Sequence, residues 1–279
     1  MKNLEISPGL YIVATPIGNL SDLSARAGAT IAAADLLLVE DSRVTGKLLA
    51  HLGLKKPMRP YHDHSKEADR EAILAMLADK VVVLVSDAGT PLISDPGYKL
   101  VHAARARGLP VGAVPGPSAP TMALTLSGLP TDRYLFAGFI PSKDKARADL
   151  FEELAGLRAT LVFFETGPRL AKSLAAAAEV LGNRPAAVAR ELTKMFEEVA
   201  TGTLEELGQR YADTPPKGEI VLVIGPPGED EAPDDAAIDA AIDEALESLS
   251  PSRAAKEVAT RFGLKKNDVY ARVQQRVAS

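Results

Sequence analysis

The sequence predicts an α/β protein of two domains, each a sheet flanked by helices, followed by a small helical tail. Three observations carry this. Short apolar runs alternate with amphipathic stretches from residue 10 onward, nearly every run in the first half ends in a corner rich in Gly and Pro, and the composition changes abruptly after Gly225.

In the first half, Leu10–Ala14, Leu36–Val39, Val81–Val85 and Val111–Val114 read as buried strands. Helical patterns lie between them at about Leu23–Ala34, Thr45–Leu52, Lys66–Leu77 and Tyr98–Arg107. Alternation of strand and helix implies a mostly parallel sheet with helices on both faces. Gly128, Pro130 and Asp132 punctuate the chain where this pattern stops, so the first domain spans 1–130. In 131–226, Tyr134–Phe139, Thr160–Phe164, Ala186–Arg190, Glu198–Thr203 and Ile220–Ile224 are strand candidates. Asp144–Leu154, Arg169–Leu181 and Leu204–Tyr211 fit helices, and the sheet is expected to be mixed.

The remaining segment, 227–279, opens on Pro, Gly and five acidic residues as far as Asp235, the composition of a linker. Helices are expected at about Ala236–Leu249, Ser252–Phe262 and Lys266–Val277, the second begun by Ser250-Pro251-Ser252 and ended by Gly263. From Pro251 onward seven basic residues face two acidic ones, and two short helices about a Gly turn suggest a helix-turn-helix fragment.

The chain of 279 residues has no cysteine, hence no disulfide or thiolate chemistry, which accords with a reducing cytoplasm. No signal-peptide core and no apolar run of membrane-spanning length is present. A net charge of −5 supplies no global field for nucleic acid, so any RNA contact falls to local basic patches. Neither a phosphate-binding GxxxxGK[ST] loop nor a GxGxxG turn occurs.

The chemistry concentrates in the corners. Ser86–Gly97 places two glycines, two prolines and two aspartates after a buried strand. Pro pins φ and Gly permits φ > 0, so such a loop follows a fixed path. Thr15-Pro16-Ile17-Gly18-Asn19, Glu40-Asp41-Ser42-Arg43 and Pro115–Pro120 follow the other three strands. In a parallel sheet all four corners gather along one edge, where open α/β sheets bind small molecules. His62 and His64 flank Asp63 and fit a polar substrate loop better than a metal site.

These residues carry a resemblance. Leu84–Pro91 with Asp95-Pro96-Gly97, then Val114–Ala119, resembles the tetrapyrrole methylase superfamily. Ala14–Leu20, Glu40–Arg43, Arg190–Lys194 and Glu197-Glu198 are similar to its branch that acts on small-subunit ribosomal RNA. The likeness covers 10–225 and continues into the tail. It implies two α/β domains with S-adenosyl-L-methionine (SAM) in the cleft between them, a homodimer, and methylation of the ribose 2′-hydroxyl of a cytidine in the decoding region of 16S rRNA within the small ribosomal subunit. Carried over by motif, the cofactor residues are Pro16, Asp87, Ala88, Gly89, Thr90, Leu92, Ile93, Ser118, Ala119, Phe164, Leu192 and Gly218. The first corner departs from the glycine-proline-glycine-aspartate turn of the tetrapyrrole enzymes, which favours the RNA branch.

A ribose hydroxyl is a poor nucleophile, so a base or hydrogen-bond acceptor is expected, with Glu40, Asp41 and Glu191 as candidates and Arg43 beside them. Arg43, Arg190 and Lys194 match phosphate oxygens, and Asn19, His62, His64, Lys265 and Lys266 complete the candidate RNA contacts. Structural ion pairs explain the charged members equally well. Two other functions stay open: C-methylation of a tetrapyrrole, and binding of SAM and RNA without catalysis.

Overall fold

The computed structural model describes residues 6–62, 65–228, 235–246, 249–262 and 266–278. His64, Lys265, Gly263 and most of the acidic linker lie outside the described residues, and of Lys266 only the backbone is described. Two compact units result, Met1–Pro226 and Pro227–Ser279.

The first unit contains two five-stranded sheets. In the first, β1 (Gly9–Val13), β2 (Leu36–Val39), β3 (Met58–Pro60), β4 (Val81–Leu84) and β5 (Val111–Val114) are all parallel, in the order β3-β2-β4-β1-β5. Side chains alternate across a strand. Val81, Val83 and Val85 therefore pack against α1 (Ala25–Ala33) and α2 (Ser42–His51), while Val82 and Leu84 pack against α3 (Glu67–Met76) and α4 (Tyr98–Ala106). The strand β3 was not anticipated. It has three residues, ends in a proline and pairs on one side only, so it offers no alternating apolar pattern.

A helix α5 (Ala119–Leu126) leads out of the first sheet. It too was not anticipated, although Pro120 in its first turn is a start signal. The second sheet contains β6 (Tyr134–Phe139), β7 (Thr160–Thr166), β8 (Pro185–Arg190), β9 (Glu198–Thr203) and β10 (Glu219–Ile224) in the order β6-β7-β10-β8-β9. Only β6 and β7 are parallel, so the sheet is mixed. One face packs on α6 (Asp144–Leu154), α7 (Gly167–Leu181) and α8 (Leu204–Ala212). On the other face Val162, Ala187, Ala189, Val221 and Val223 meet Ala123 and Leu124 of α5 and Ile17 from the corner after β1. The two sheets thus share an apolar seam.

The second unit is three helices, α9 (Asp235–Leu246), α10 (Pro251–Arg261) and α11 (Lys266–Ala278), around Ile242, Ala254, Val258, Val269 and Val273. The basic character expected of the tail is offset by α9. Arg261 pairs with Glu244 at 3.2 Å, and Arg276 pairs with Asp239 at 2.9 Å and also with Asp243. No described helix is long and apolar enough to cross a membrane.

Gly167 opens α7 under the 216–218 segment, and a Cβ there would overlap the carbonyl oxygen of Pro216. That neighbour is backbone and yields poorly. Gly167→Ala is expected to cost about 3 kcal/mol of folding stability, read from the midpoint of urea unfolding.

Candidate active site between the two sheets

The four corners of the first sheet are laced together by hydrogen bonds. The N–H of Thr15 donates to the Gly89 carbonyl at 2.8 Å, and Gly89 N–H returns to the Thr15 carbonyl at 3.0 Å. The Thr15 hydroxyl donates to the Ser86 carbonyl at 3.2 Å, and the Thr90 hydroxyl to the Pro117 carbonyl at 3.0 Å. Asp87 accepts from the Asp41 N–H at 3.0 Å, which ties in the corner after β2. Leu92 and Ser94 hold φ of 73° and 64°, a conformation non-glycine residues adopt at a cost and which clusters at functional sites.

This edge faces the apolar side of the second sheet across a cavity of about 260 Å³. Ala88, Gly89, Thr90, Ile93, Ser118 and Ala119 line it from the corners; Phe164, Leu192 and Gly218 line it from the second half. The structure thus brings nine of the twelve expected cofactor residues to one cavity. Pro16 and Asp87 instead line an adjoining, more polar cavity of about 530 Å³ with Gly18, Val44, Lys47 and Lys194. Ile17, Ala88 and Glu219 belong to both walls, so the two chambers abut. The side chain of Leu92 turns away and packs on the core between β4 and α4.

The apolar chamber suits SAM by its chemistry. Ile17, Ile93, Phe139, Phe164 and Val221 offer apolar walls to a nucleoside, and Asp95, Glu165 and Glu219 offer negative charge to its cationic groups. Glu165 is fully buried, yet the Ser173 hydroxyl, the Thr166 N–H at 2.8 Å and Arg169 at 3.3 Å satisfy it. Asp95 differs. Burial pushes its carboxyl up to about 6, and the nearby charges of Glu40 and Asp87 reinforce the shift, while a Ser86 hydroxyl bond partly opposes it.

The expected catalytic residues lie outside both linings. Asp41 caps α2 through the Arg43 N–H at 2.8 Å, and the Arg43 guanidinium beside it lowers its carboxyl to about 2. Glu191 is held below the usual range by Lys194 at 2.9 Å and by the Glu219 N–H at 3.1 Å. Glu40 stands close enough to Asp95 to act on its charge. Of the expected RNA contacts, Lys194 reaches the polar chamber, whereas Arg190 is bound by Glu198 at 2.8 Å and by the Lys217 carbonyl. Asn19 caps the short turn Leu20–Asp22 by accepting from the Ser21 N–H. His62 is exposed after the edge strand β3, lines neither chamber and donates its N–H to the Ser65 hydroxyl at 3.0 Å. Sequence reasoning missed Asp95, Phe139, Glu165 and Glu219. Asp95 was findable, since it sits inside the Ser86–Gly97 loop; the other three needed the sheet packing.

A parallel sheet whose laced corners close over an apolar, acid-edged cavity, capped by a second mixed sheet, defines a two-sheet protein with a preformed site for a small amphipathic ligand. Comparison with known proteins agrees. The family described as tetrapyrrole (corrin/porphyrin) methylases matches residues 9–208, and the RsmI C-terminal HTH domain matches 232–276. Ribosomal RNA small subunit methyltransferase I of Erythrobacter litoralis is 56% identical over 96% of this chain and 95% of the relative. Among solved structures, uroporphyrin-III-C-methyltransferase from Thermus thermophilus has a TM-score of 0.54 at 23% identity, covering 77% of this chain and 93% of that one. Diphthine synthase has a TM-score of 0.59 at 15% identity, covering 77% and 89%. Both structures share the fold. The chain belongs to the tetrapyrrole methylase family, in its ribosomal RNA small subunit methyltransferase I branch, and uses SAM as methyl donor.

The raised Asp95 carboxyl gives stability a definite pH sign. A folded-state value above the unfolded one contributes stability that is full below about pH 4 and is lost as pH rises through about 6. Wild type should therefore lose about 1–3 kcal/mol relative to Asp95→Asn between pH 4 and 7 in urea unfolding. A constant difference across that window contradicts the assignment.

Proposed function

We propose that this protein transfers a methyl group from SAM to the ribose 2′-hydroxyl of a cytidine in the decoding region of 16S rRNA, acting as a homodimer on the assembled small ribosomal subunit. The observation that carries this reading is the pair of abutting chambers within a chain alike, from end to end, to an rRNA methyltransferase. The apolar chamber takes the donor and the polar one takes the acceptor nucleotide. Phosphates flanking that nucleotide meet Lys47 and Lys194 on the polar wall.

When bound, SAM supplies an electrophilic methyl on a sulfonium. The chain's own residues do the rest. The laced corners fix the backbone of Ala88–Thr90 and Ser118, so a bound donor would meet a preformed wall, and such positioning can supply much of the rate. The apolar walls exclude water. A general base works best with a pKa near the operating pH. Asp41 and Glu191, both held low by cations, are weak bases, and Asp95 at about 6 is better matched. With the donor bound, Asp95 would hold the proton that the ribose hydroxyl gives up when the methyl passes from sulfur to oxygen and a neutral thioether leaves, with Glu40 and Asp87 keeping its proton affinity high.

Small subunits from a strain lacking the enzyme, incubated with radiolabelled SAM, should gain label on a ribose. Label on a base, or none, rejects the proposal, and label on uroporphyrinogen instead would favour the tetrapyrrole reading. Removing residues 232–279 should weaken subunit binding at least several-fold while leaving SAM affinity, read by calorimetry, within about twofold. Equal losses would argue against an RNA role for the helical unit.

A further inference from the structure

The loop between β8 and β9 carries the most exposed large apolar side chain described, Met195 at 91% relative exposure, next to Phe196 at 67%. They are the two central residues of a tight turn, since the Glu197 N–H donates to the Lys194 carbonyl at 3.1 Å. Turn centres favour Gly, Asn, Asp, Ser or Pro. Single exposed apolar residues are ordinary, but two adjacent ones at the tip of a turn gain nothing from folding.

The loop is not loose. The Lys194 N–H donates to the Glu191 carbonyl at 3.0 Å, and the Thr193 N–H to the Glu197 carboxylate at 2.6 Å. Lys194 Nζ reaches Glu191 at 2.9 Å and Glu219 at 3.0 Å. Glu191 and Thr193 hold φ of 50° and 64°, a strain the surrounding bonds maintain. Gly18 lies so close that a Cβ there would sit 3.0 Å from the Leu192 carbonyl oxygen. The loop is thereby seated on the corner after β1. Leu192 lines the apolar chamber and Lys194 the polar one, so Phe196 lies two residues, at most about 7 Å of chain, from the acceptor side of the cleft.

From this placement we infer that Phe196, with Met195 beside it, is a stacking platform for an unpaired nucleobase next to the methylated nucleotide, a positioning contact for the substrate. The inference rests on the rRNA reading above. A rigid aromatic presented face-free at the mouth of a cleft is what an unstacked base needs, and stacking is indifferent to phosphate charge. Stacking by Phe196 therefore adds to the phosphate contacts of Lys47 and Lys194 without competing with them. A nucleotide also has to leave its stack to enter the polar chamber, and its former neighbour then requires a new partner.

The test is steady-state methyl transfer to undermethylated small subunits by Phe196→Ala, Phe196→Trp and Phe196→Leu. Phe196→Ala should raise KM for subunits about 5-fold or more with kcat changed far less, while SAM affinity and the thermal midpoint stay at wild-type values. Phe196→Trp should restore KM, and Phe196→Leu, apolar but without a π face, should not. An unchanged KM in Phe196→Ala, or full rescue by Phe196→Leu, overturns the inference and leaves the rRNA reading standing. A variant that sediments as a monomer where wild type is a dimer marks the patch as a subunit contact and also overturns it. A wild-type protein inert toward subunits rejects the rRNA reading and this inference together.

Discussion

Everything at the site depends on the reciprocal hydrogen bonds between Thr15 and Gly89. Parallel strands alone bring four corners to one edge, but loops rich in Gly and Pro have no ladder of their own and would splay. The Thr15–Gly89 pair extends β1 by one antiparallel bridge into the corner after β4. The Thr15 and Thr90 hydroxyls then carry the tie to Ser86 and Pro117, and Asp87 carries it to the corner after β2. Each corner satisfies polar groups that the next one would leave unpaired. The edge therefore behaves as one preformed rim, which spares the ligand much of the entropic cost of ordering it.

The second constraint is the apolar seam. Most sheets of this kind would expose the face of β7, β10 and β8 to water or cover it with a helix of their own. Here α5 covers part of it, and Ile17 fills in from the first corner. At the margin of that seam Phe164, Ala189, Leu192 and Val221 form the floor of the donor chamber. Phe164 keeps its place because Phe136 and Phe139 pack against its ring, with centroids 4.9 and 5.1 Å away. The same seam that joins the halves also sets the width of the cavity.

The parallel pairing, the helices on both faces of Val81–Val85 and the convergence of corners were legible in the sequence, since they follow from the strand–helix alternation and from Gly and Pro placement. The three-residue strand β3 was not, because a one-sided edge strand carries no burial pattern. The partners of the charged residues were not legible. Glu40, Asp41, Arg43 and Glu191 looked catalytic by their types and positions, but local spacing could not reveal that Asp41 and Arg43 satisfy each other or that Glu191 is spent holding Lys194 and the Glu219 N–H. Pairing is a property of three dimensions. The charge of the tail was legible only in part for the same reason, since the acids that pair with Arg261 and Arg276 come from the helix before it.

What distinguishes the working carboxylate from the structural ones is then the company it keeps. Asp41 and Glu191 sit beside cations and amide donors, so each is fixed as an anion and contributes geometry. Asp95 sits half-buried among other acids, with one hydroxyl as its counterweight. A group in that setting is poised to gain a proton near neutrality and to welcome a positive charge next to it. Both properties suit a site that must hold a sulfonium and accept a proton from a sugar. The chain reaches them without a dedicated catalytic motif, by setting one half-buried aspartate of a rigid loop against Glu40 and Asp87 rather than against a cation.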